Sequence, residues 1–168
     1  MVSTVELPDF VVKVASLQHL DNALICWKSL VSDQSKHDVR LSADNLSESE
    51  QRQFIRTVIL DGRLVIALDS EYNLVGIATF AIEKNMLDSS DSVWNISDVW
   101  VDEDYRRNGI GAQLVTECEI QSISRGATEI RLRVYASNQA ASMMYGRLGY
   151  RTISRMMNKK IGKSNREV

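Results

Sequence analysis

Hydrophobic residues recur at helical spacing in two N-terminal stretches of this chain. One stretch runs from Leu17 to Val31 in steps of three and four residues, which is typical of one face of an amphipathic helix. The other follows the capping-box sequence Ser47-x-x-Glu50 and ends before Gly62, and these residues favour a helix start and a helix stop. An apolar run over 10–15 predicts a strand before both helices. The polar residues 32–46 predict a loop or a short irregular helix between them.

Apolar runs without helical periodicity predict strands in the middle of the chain. Residues 64–68 and 74–82 are two such runs, and the turn residues between them, 69–73, indicate a hairpin. The acidic, serine-rich stretch 83–92 predicts a mobile loop. Residues 94–101 are again largely apolar and predict the next strand.

The last third of the chain alternates predicted helices and strands. We expect a helix over 110–124, a strand over 130–135, a helix that closes at Gly149 and a last strand over 152–160. The complete order is then β-α-α-β-β-β-α-β-α-β. A strand–helix–strand unit over 94–135 predicts a right-handed crossover between parallel strands, and ligands gather at the carboxyl ends of such strands.

The composition of the chain excludes several classes of protein. The 168 residues suit one domain over 1–160 with a short basic tail at 161–168, and 44% hydrophobic with 25% charged residues is ordinary for a soluble protein. Twenty basic and twenty-two acidic residues give a net charge of −2, which does not favour nucleic-acid binding. No stretch approaches the about 18 apolar residues of a membrane helix. Cys26 and Cys118 are too few and too far apart for a zinc site or a disulfide framework, so we expect a cytoplasmic protein without a metal.

A basic turn with two glycines follows the strand over 94–101. Arg106 and Arg107 carry permanent charge and planar donors that suit phosphate oxygens, and Gly109 and Gly111 let an anion approach the backbone. The helix that begins there leaves N–H groups without intrahelical partners. Leu114 stands where a dinucleotide-binding fingerprint needs its third glycine, and no Gly-Lys-Ser/Thr follows as in a P-loop. The pattern predicts a pyrophosphate site.

A second group of residues completes a family pattern: Asn138, Ala141, Tyr145 and Leu148-Gly149-Tyr150. Together with the basic turn, they resemble the GNAT family of N-acetyltransferases, which move an acetyl group from acetyl-coenzyme A to an amine. The resemblance is clear over 95–151. It implies an α/β (α+β) fold with a mixed, largely antiparallel central sheet and flanking helices. It also implies direct transfer in a ternary complex to a primary amine, carried by a small molecule such as a polyamine or an aminoglycoside, or by a protein or peptide.

The same resemblance implies which residues bind the coenzyme. The main chain of Val99, Trp100 and Val101 would bond the pantetheine amides and meet the thioester oxygen. The remaining coenzyme-binding residues that it implies are Arg106, Arg107, Asn108, Gly109, Ile110, Gly111, Ala112, Asn138 and Tyr145.

Two side chains are candidates for proton transfer. Tyr145, seven residues after Asn138, would be the general acid for the leaving thiolate; the alternative is an apolar helix residue with a solvated hydroxyl. Asp98, a carboxylate inside an apolar strand, would be the base; the alternatives are a structural hydrogen bond or orientation of a charged substrate. Asn138 is also a natural helix N-cap. Trp94 and Trp100 alternate in phase with Asp98 and would flank the acceptor amine or pack against a helix.

The sequence says less about the amine acceptor and about the oligomeric state. The acidic loop 83–92 weakly favours a cationic acceptor. A homodimer and a monomer are both open. The competing hypothesis is a non-catalytic acyl-coenzyme A-binding sensor or interaction module, and the presence of both Tyr145 and Asp98 argues for the enzyme.

Overall fold

The computed structural model describes residues 9–83 and 92–159, so most of the predicted loop over 83–92 and the whole basic tail at 161–168 lie outside the described residues. The strands are β1 (Val11–Val14), β2 (Leu64–Leu68), β3 (Leu74–Ile82), β4 (Val93–Val101) and β5 (Glu129–Leu132). The α-helices are α1 (Leu20–Ser35), α2 (Glu48–Leu60), α3 (Ile110–Ser124) and α4 (Gln139–Arg147). Short 3-10 turns occupy 17–19, 43–45 and 103–105.

The described strands form one mixed sheet in the order β1-β2-β3-β4-β5. The first four strands pair antiparallel, and β2 and β3 form the predicted hairpin. β4 and β5 are parallel, because the chain returns through α3. The mixed, largely antiparallel sheet with flanking helices is therefore confirmed.

Helices cover both faces of this sheet, and β2 shows how the sequence encodes that. Leu64, Ile66 and Leu68 face the core formed with α1 and α2, whereas Val65 and Ala67 face the core formed with α3. All five side chains are buried, so β2 is a continuous apolar run and not an alternating one. We call the two sides the α1/α2 layer and the α3/α4 layer.

Local hydrogen bonds set the start of α2, whereas α1 extends further than the sequence predicts. At the start of α2 the predicted capping box is confirmed: Ser47 N–H donates to Glu50 Oε2 over 2.7 Å, and Glu50 N–H donates to Ser47 Oγ over 3.3 Å. Gly62, with φ of +62°, follows its end. Helix α1 continues to Ser35, into the polar stretch 32–46 predicted to be a loop or a short irregular helix.

The predicted last strand over 152–160 is wrong for its described part. Residues 151–159 form neither strand nor helix and are exposed throughout. Ile153 and Met156 are 73% and 90% exposed, so apolar side chains that would have anchored a strand find no buried face here. Propensity alone cannot make a strand, because pairing and burial provide most of its stability. β5 is also shorter than predicted and ends at Leu132.

Gly76 of β3 gives a test of how closely helix α3 and the neighbouring strand β4 pack around β3. A Cβ at this position would lie 3.0 Å from Leu114 Cδ1 and 3.1 Å from the Trp100 carbonyl oxygen. We expect Gly76→Ala to lower the free energy of unfolding by about 1–3 kcal/mol in urea denaturation.

Gly146 of α4 is the matched control, because a Cβ there meets nothing within 4 Å. Gly146→Ala should raise stability by about 0.5–1 kcal/mol through helix propensity. Equal effects of the two substitutions would contradict the close packing around Gly76.

Candidate active site

A β-bulge in β4 shapes the site. Ile77 pairs with Trp100 and Thr79 pairs with Ser97, so Asp98 and Val99 together oppose the single residue Ala78. Asp98 has φ of +52°, in the left-handed region that few residues other than glycine adopt. Asp and Asn adopt it more readily than most residues.

The bulge changes which side chains share a face. Before it, Trp94 and Ile96 pack in the α3/α4 layer; after it, Val99 and Val101 do so, and Trp100 packs in the α1/α2 layer. The expected common phase of Trp94 and Trp100 is therefore wrong, because the extra residue in the bulge reverses the alternation.

The second half of β4 has lost its parallel neighbour. β4 pairs with β5 only from Val93 to Ile96, although its pairing with β3 continues to Val101. Among the described residues no strand lies on the β5 side of 97–101. β5 ends at Leu132, opposite Ile96, so the edge of β4 beyond Ile96 has no strand partner in the part of the chain that the structure describes. We call this unpaired stretch of edge the gap. Val99, Trp100 and Val101 lie along it.

Asp98 lies where burial and a hydrogen bond act on the same carboxylate. Thr79 Oγ1 donates to Asp98 Oδ2 over 2.7 Å, and Thr79 is itself buried. Thr79 pairs with Leu64, whose side chain faces the α1/α2 layer, so Asp98 contacts that side of the sheet. Burial raises the pKa of Asp98, and the Thr79 hydrogen bond opposes the increase in part. A carboxylate in this environment is a better proton acceptor than an exposed one.

The basic turn ends in an open helix N-terminus. Arg107 and Gly109 have φ of +68° and +81°, and α3 begins directly afterwards at Ile110. No side chain caps this helix start, and a Cβ at Gly109 would meet nothing within 4 Å. The first N–H groups of α3 therefore face open space beside two arginines, which is an arrangement that binds anions. Gly111 has a packing role as well, because a Cβ there would lie 3.2 Å from Met144 Sδ in α4.

Side chains of three predicted coenzyme-binding residues in the turn contact protein. Arg106 Nη2 donates to Asp33 Oδ2 over 2.8 Å and its Nε donates to the Val101 carbonyl over 2.9 Å. Asn108 Nδ2 donates to the Tyr105 carbonyl over 3.3 Å, and the Ile110 side chain is buried in the core. Arg107 is exposed.

Sequence reasoning missed Asp33. It lies in the last turn of α1, within the stretch 32–46 predicted to be a loop or a short irregular helix, and no motif spacing connects position 33 with position 106.

Helix α4 places the other two predicted residues. Asn138 Oδ1 accepts a hydrogen bond from Ala141 N–H over 3.1 Å, so its N-cap role is confirmed, and its contact with a coenzyme stays a prediction. Tyr145 is buried and its ring lies edge-to-face on Tyr150 at 5.9 Å. Burial, with a smaller contribution from Cys118, raises the pKa of Tyr145 to about 12. Its hydroxyl therefore keeps its proton at neutral pH.

The two proton-transfer candidates do not share a layer. Asp98 contacts the α1/α2 side of the sheet, whereas Tyr145 packs in the α3/α4 layer. The structure thus places a candidate base and a candidate acid on opposite faces of the sheet.

Neither the cysteines nor the possible metal ligands among the described residues are arranged for covalent catalysis or metal binding. Both cysteines are buried and form no disulfide, and burial raises the pKa of Cys26 to about 12 and that of Cys118 above its usual range, so both side chains serve packing. Within 9–83 and 92–159, no three His, Cys, Asp or Glu side chains are grouped to hold a metal ion. No helix in these ranges is long and apolar enough to span a membrane.

Comparison with known proteins adds a family match and a partial relative. The model of the acetyltransferase (GNAT) family matches residues 27–150. The [ribosomal protein bS18]-alanine N-acetyltransferase of Escherichia coli K12 is 38% identical over 74 residues, and that of Salmonella typhimurium is 36% identical over the same length. These matches cover 44% of this chain and 47% of each relative, so the chain spans about half the length of the curated relatives it matches.

Solved structures share the fold over nearly the whole chain. A mutant of the BH1408 protein from Bacillus halodurans superposes with a TM-score of 0.72 at 16% identity, covering 90% of this chain and 99% of that one. Aminoglycoside antibiotic 6'-N-acetyltransferase AAC(6')-Ih from Acinetobacter baumannii gives a TM-score of 0.67 at 21% identity, covering 92% and 100%. At these identities the similarity establishes the fold.

Asp98 gives a prediction in which stability and activity change in opposite directions. Its raised pKa means that the folded protein disfavours the charged form, so ionised Asp98 costs stability once the pH exceeds its unfolded pKa. Asp98→Asn removes that cost, still accepts the Thr79 hydrogen bond and tolerates a left-handed φ. We expect urea denaturation to show a more stable variant at pH 7, with the gain fading as the pH falls toward about 4.

Turnover of a primary amine by Asp98→Asn should fall by about 10²–10⁴-fold, because the amide cannot accept a proton. Asp98→Ala is the matched comparison: it loses the Thr79 partner and keeps the strained φ, so it should be less stable than wild type. Full activity in Asp98→Asn would assign the carboxylate a structural role.

Proposed function

Because the chain belongs to the acetyltransferase (GNAT) family, we propose that it transfers an acetyl group from acetyl-coenzyme A to a primary amine. The observation that carries the proposal is that two features occur together. The N-terminus of α3 is uncapped and has adjacent arginines, and the end of β4, which precedes it in the chain, has an unpaired edge. The first suits a pyrophosphate and the second suits an extended chain of amides.

The coenzyme would bind chiefly through main-chain groups. The N–H groups from Asn108 to Ala112, at the start of α3, would hold the pyrophosphate, with the exposed Arg107 adding charge. Val99 would offer its backbone donor and acceptor, and Val101 its N–H, to the pantetheine arm along the unpaired edge of β4, because the Val101 carbonyl already accepts from Arg106. The bound coenzyme would supply the acetyl group as a thioester. Asn138, at the start of α4, would contact it from the other side of the gap.

The chain's own groups would then manage charge and protons. An amine nitrogen attacks the thioester carbon, and Asp98 takes the proton that this nitrogen loses, directly or through water. A backbone N–H at the end of β4 stabilises the negative oxygen that develops. As the carbon–sulfur bond breaks, Tyr145 donates its hydroxyl proton to the leaving thiolate. Asp98 then releases its proton to solvent and Tyr145 recovers one, so the protons balance. The raised pKa of Asp98 favours proton acceptance, and the raised pKa of Tyr145 keeps its hydroxyl protonated at neutral pH, so its proton is present when the thiolate leaves.

The arrangement favours direct transfer over a covalent enzyme intermediate. The acid and the base lie on opposite faces of the sheet, so the coenzyme would enter from the α3/α4 layer and the amine from the α1/α2 layer. The two substrates would meet in the gap between β4 and β5. Cys26 and Cys118 are poor nucleophiles, because burial raises both pKa values well above neutral.

Neither the fold nor the candidate site identifies which amine accepts the acetyl group. Proteins named for an alanine of ribosomal protein bS18 are sequence relatives over 44% of the chain, and an aminoglycoside acetyltransferase shares the fold. We therefore include peptide amino termini and aminoglycosides, with polyamines, among the acceptors to be tested. The two unpaired cysteines suit a reducing cytoplasm, where we place the protein.

An amine panel tests the activity. With acetyl-coenzyme A in excess, we expect thiol release with at least one acceptor class among an alanine-initiated peptide, an aminoglycoside and a polyamine. Initial-rate lines at varied acceptor should intersect, as direct transfer requires, and parallel lines would indicate a covalent intermediate.

Coenzyme binding separates the enzyme from a sensor. Acetyl-coenzyme A at a hundredfold excess over its dissociation constant should stabilise the fold by about 2.7 kcal/mol. In Gly109→Val this shift should be lost, since valine disfavours the φ of +81° and distorts the turn, and its side chain enters the open space before α3. Tight binding without turnover of any amine would support the non-catalytic sensor.

Tyr145→Phe tests the general acid. The ring and its contact with Tyr150 remain, so coenzyme affinity and stability should change little. Turnover should fall by about 10²–10⁴-fold, or by about tenfold if water can deliver the proton. The measurement is kcat alongside the dissociation constant of coenzyme A from calorimetry.

Because the pKa of Tyr145 is about 12, loss of its proton should not limit the rate of the wild type near neutral pH. An active wild type matched by Tyr145→Phe would remove Tyr145 from the mechanism while leaving the activity in place.

A further inference from the structure

The end of β4 is paired with β3 alone, and side chains bond it from the α1 side. After Ile96, β4 has no β5 neighbour, yet Trp100 and Val101 are both fixed from the α1 side. The Asp33 carboxylate accepts from Trp100 Nε1 over 3.1 Å and from Arg106 Nη2 over 2.8 Å. Arg106 Nε donates in turn to the Val101 carbonyl over 2.9 Å. One carboxylate on α1 is thus bonded to the indole of Trp100 and, through Arg106, to the carbonyl of Val101.

The neighbours of Asp33 stabilise its negative charge. Burial works against it, but hydrogen bonds from Lys36, Arg106 and Trp100 outweigh that effect and lower the pKa of Asp33. The side chain is only 32% exposed, and it neutralises the guanidinium of Arg106 at 2.8 Å. Two of the three guanidinium nitrogens of Arg106 therefore bond protein, while 43% of its side chain is exposed. Arg107, the next residue, is exposed and adopts a left-handed φ within the turn.

A second contact reaches the other side of the gap. His37, just after α1, lies with Nδ1 2.7 Å from Ser137 Oγ, and its ring stacks on Tyr135 at 5.2 Å. Tyr135 and Ser137 follow β5 and precede α4. The segment from Asp33 to His37 consequently bonds both the β4 side and the β5 side of the gap.

We propose that Asp33 and Arg106 are positioning residues that fix the end of β4, and that Arg107 is the arginine that contacts the coenzyme pyrophosphate. This inference rests on the proposed function, and it assigns different roles to two adjacent arginines. Its physical reason is precision: backbone donors act on a developing oxyanion only when correctly placed, and an error of about 1 Å can cost about 10²-fold in rate.

Hydrogen exchange provides a test that needs no catalysis. In Asp33→Asn and in Arg106→Gln, amides of residues 99–102 should exchange at least about tenfold faster, since the bonds that hold this strand end are weakened. In Arg107→Gln their exchange should be unchanged. Asp38→Asn is the control, because it weakens a pair with Arg40, whose side chain is 82% exposed, immediately after that segment. Trp100→Phe removes the indole donor and offers a second route to the same loss.

Two acetyl donors then separate positioning from phosphate binding. Acetyl-coenzyme A carries the pyrophosphate and acetyl-pantetheine does not. Asp33→Asn and Arg106→Gln should lower kcat about tenfold or more with both donors, and the double variant should be little worse than either single one. Arg107→Gln should raise KM for acetyl-coenzyme A about tenfold and leave acetyl-pantetheine unaffected. Calorimetry with coenzyme A should show the same difference between the two arginines.

Unchanged hydrogen exchange over 99–102 in both Asp33→Asn and Arg106→Gln would overturn the positioning role. A loss of coenzyme A affinity in Arg106→Gln, with none in Arg107→Gln, would overturn the assignment of the two arginines. Both outcomes are readable without turnover. If no amine is acetylated by wild type, the proposed function fails, while the exchange and calorimetry results still decide this inference.

Discussion

The end of pairing between β4 and β5 after Ile96 is the constraint on which the rest of this structure depends. It leaves an edge of main chain open inside a covered sheet, where such edges are normally paired. The bulge at Asp98 accompanies it and turns Trp100 toward α1, so that the strand end is bonded through side chains instead. The helix that follows starts without a cap. Each feature is costly for a purely structural strand and useful at a binding site.

Two carboxylates illustrate how the same chemical group is given different properties. Asp98 is desolvated beside a hydroxyl, and its pKa is raised; Asp33 collects two cations and an indole, and its pKa is lowered. The first carboxylate is therefore suited to exchanging a proton, and the second to remaining charged and holding its neighbours. Such opposed environments often distinguish a reacting acid or base from a supporting one.

Local chemistry made much of the fold predictable. The bounds of β2, β3 and α3 match their apolar runs, and the capping box at Ser47 sets the start of α2, because these features depend on neighbours in the chain. The reversal of side-chain phase at Asp98 depends on register with β3, and the Asp33–Arg106 bond joins positions 73 residues apart. The last predicted strand had suitable residues and no partner. Sequence periodicity carries none of this long-range information.

The burial of both cysteines has a consequence for a protein that handles thioesters. A thioester acylates exposed thiolates without any catalyst, so a reactive cysteine near the coenzyme would be modified slowly by the donor itself. Cys118 is 0% exposed and Cys26 is 5% exposed, and both thiols hold their protons far above neutral pH. The described chain thus presents no ready thiolate to its own acyl donor, and reagents that titrate released thiol should meet little background from the folded protein.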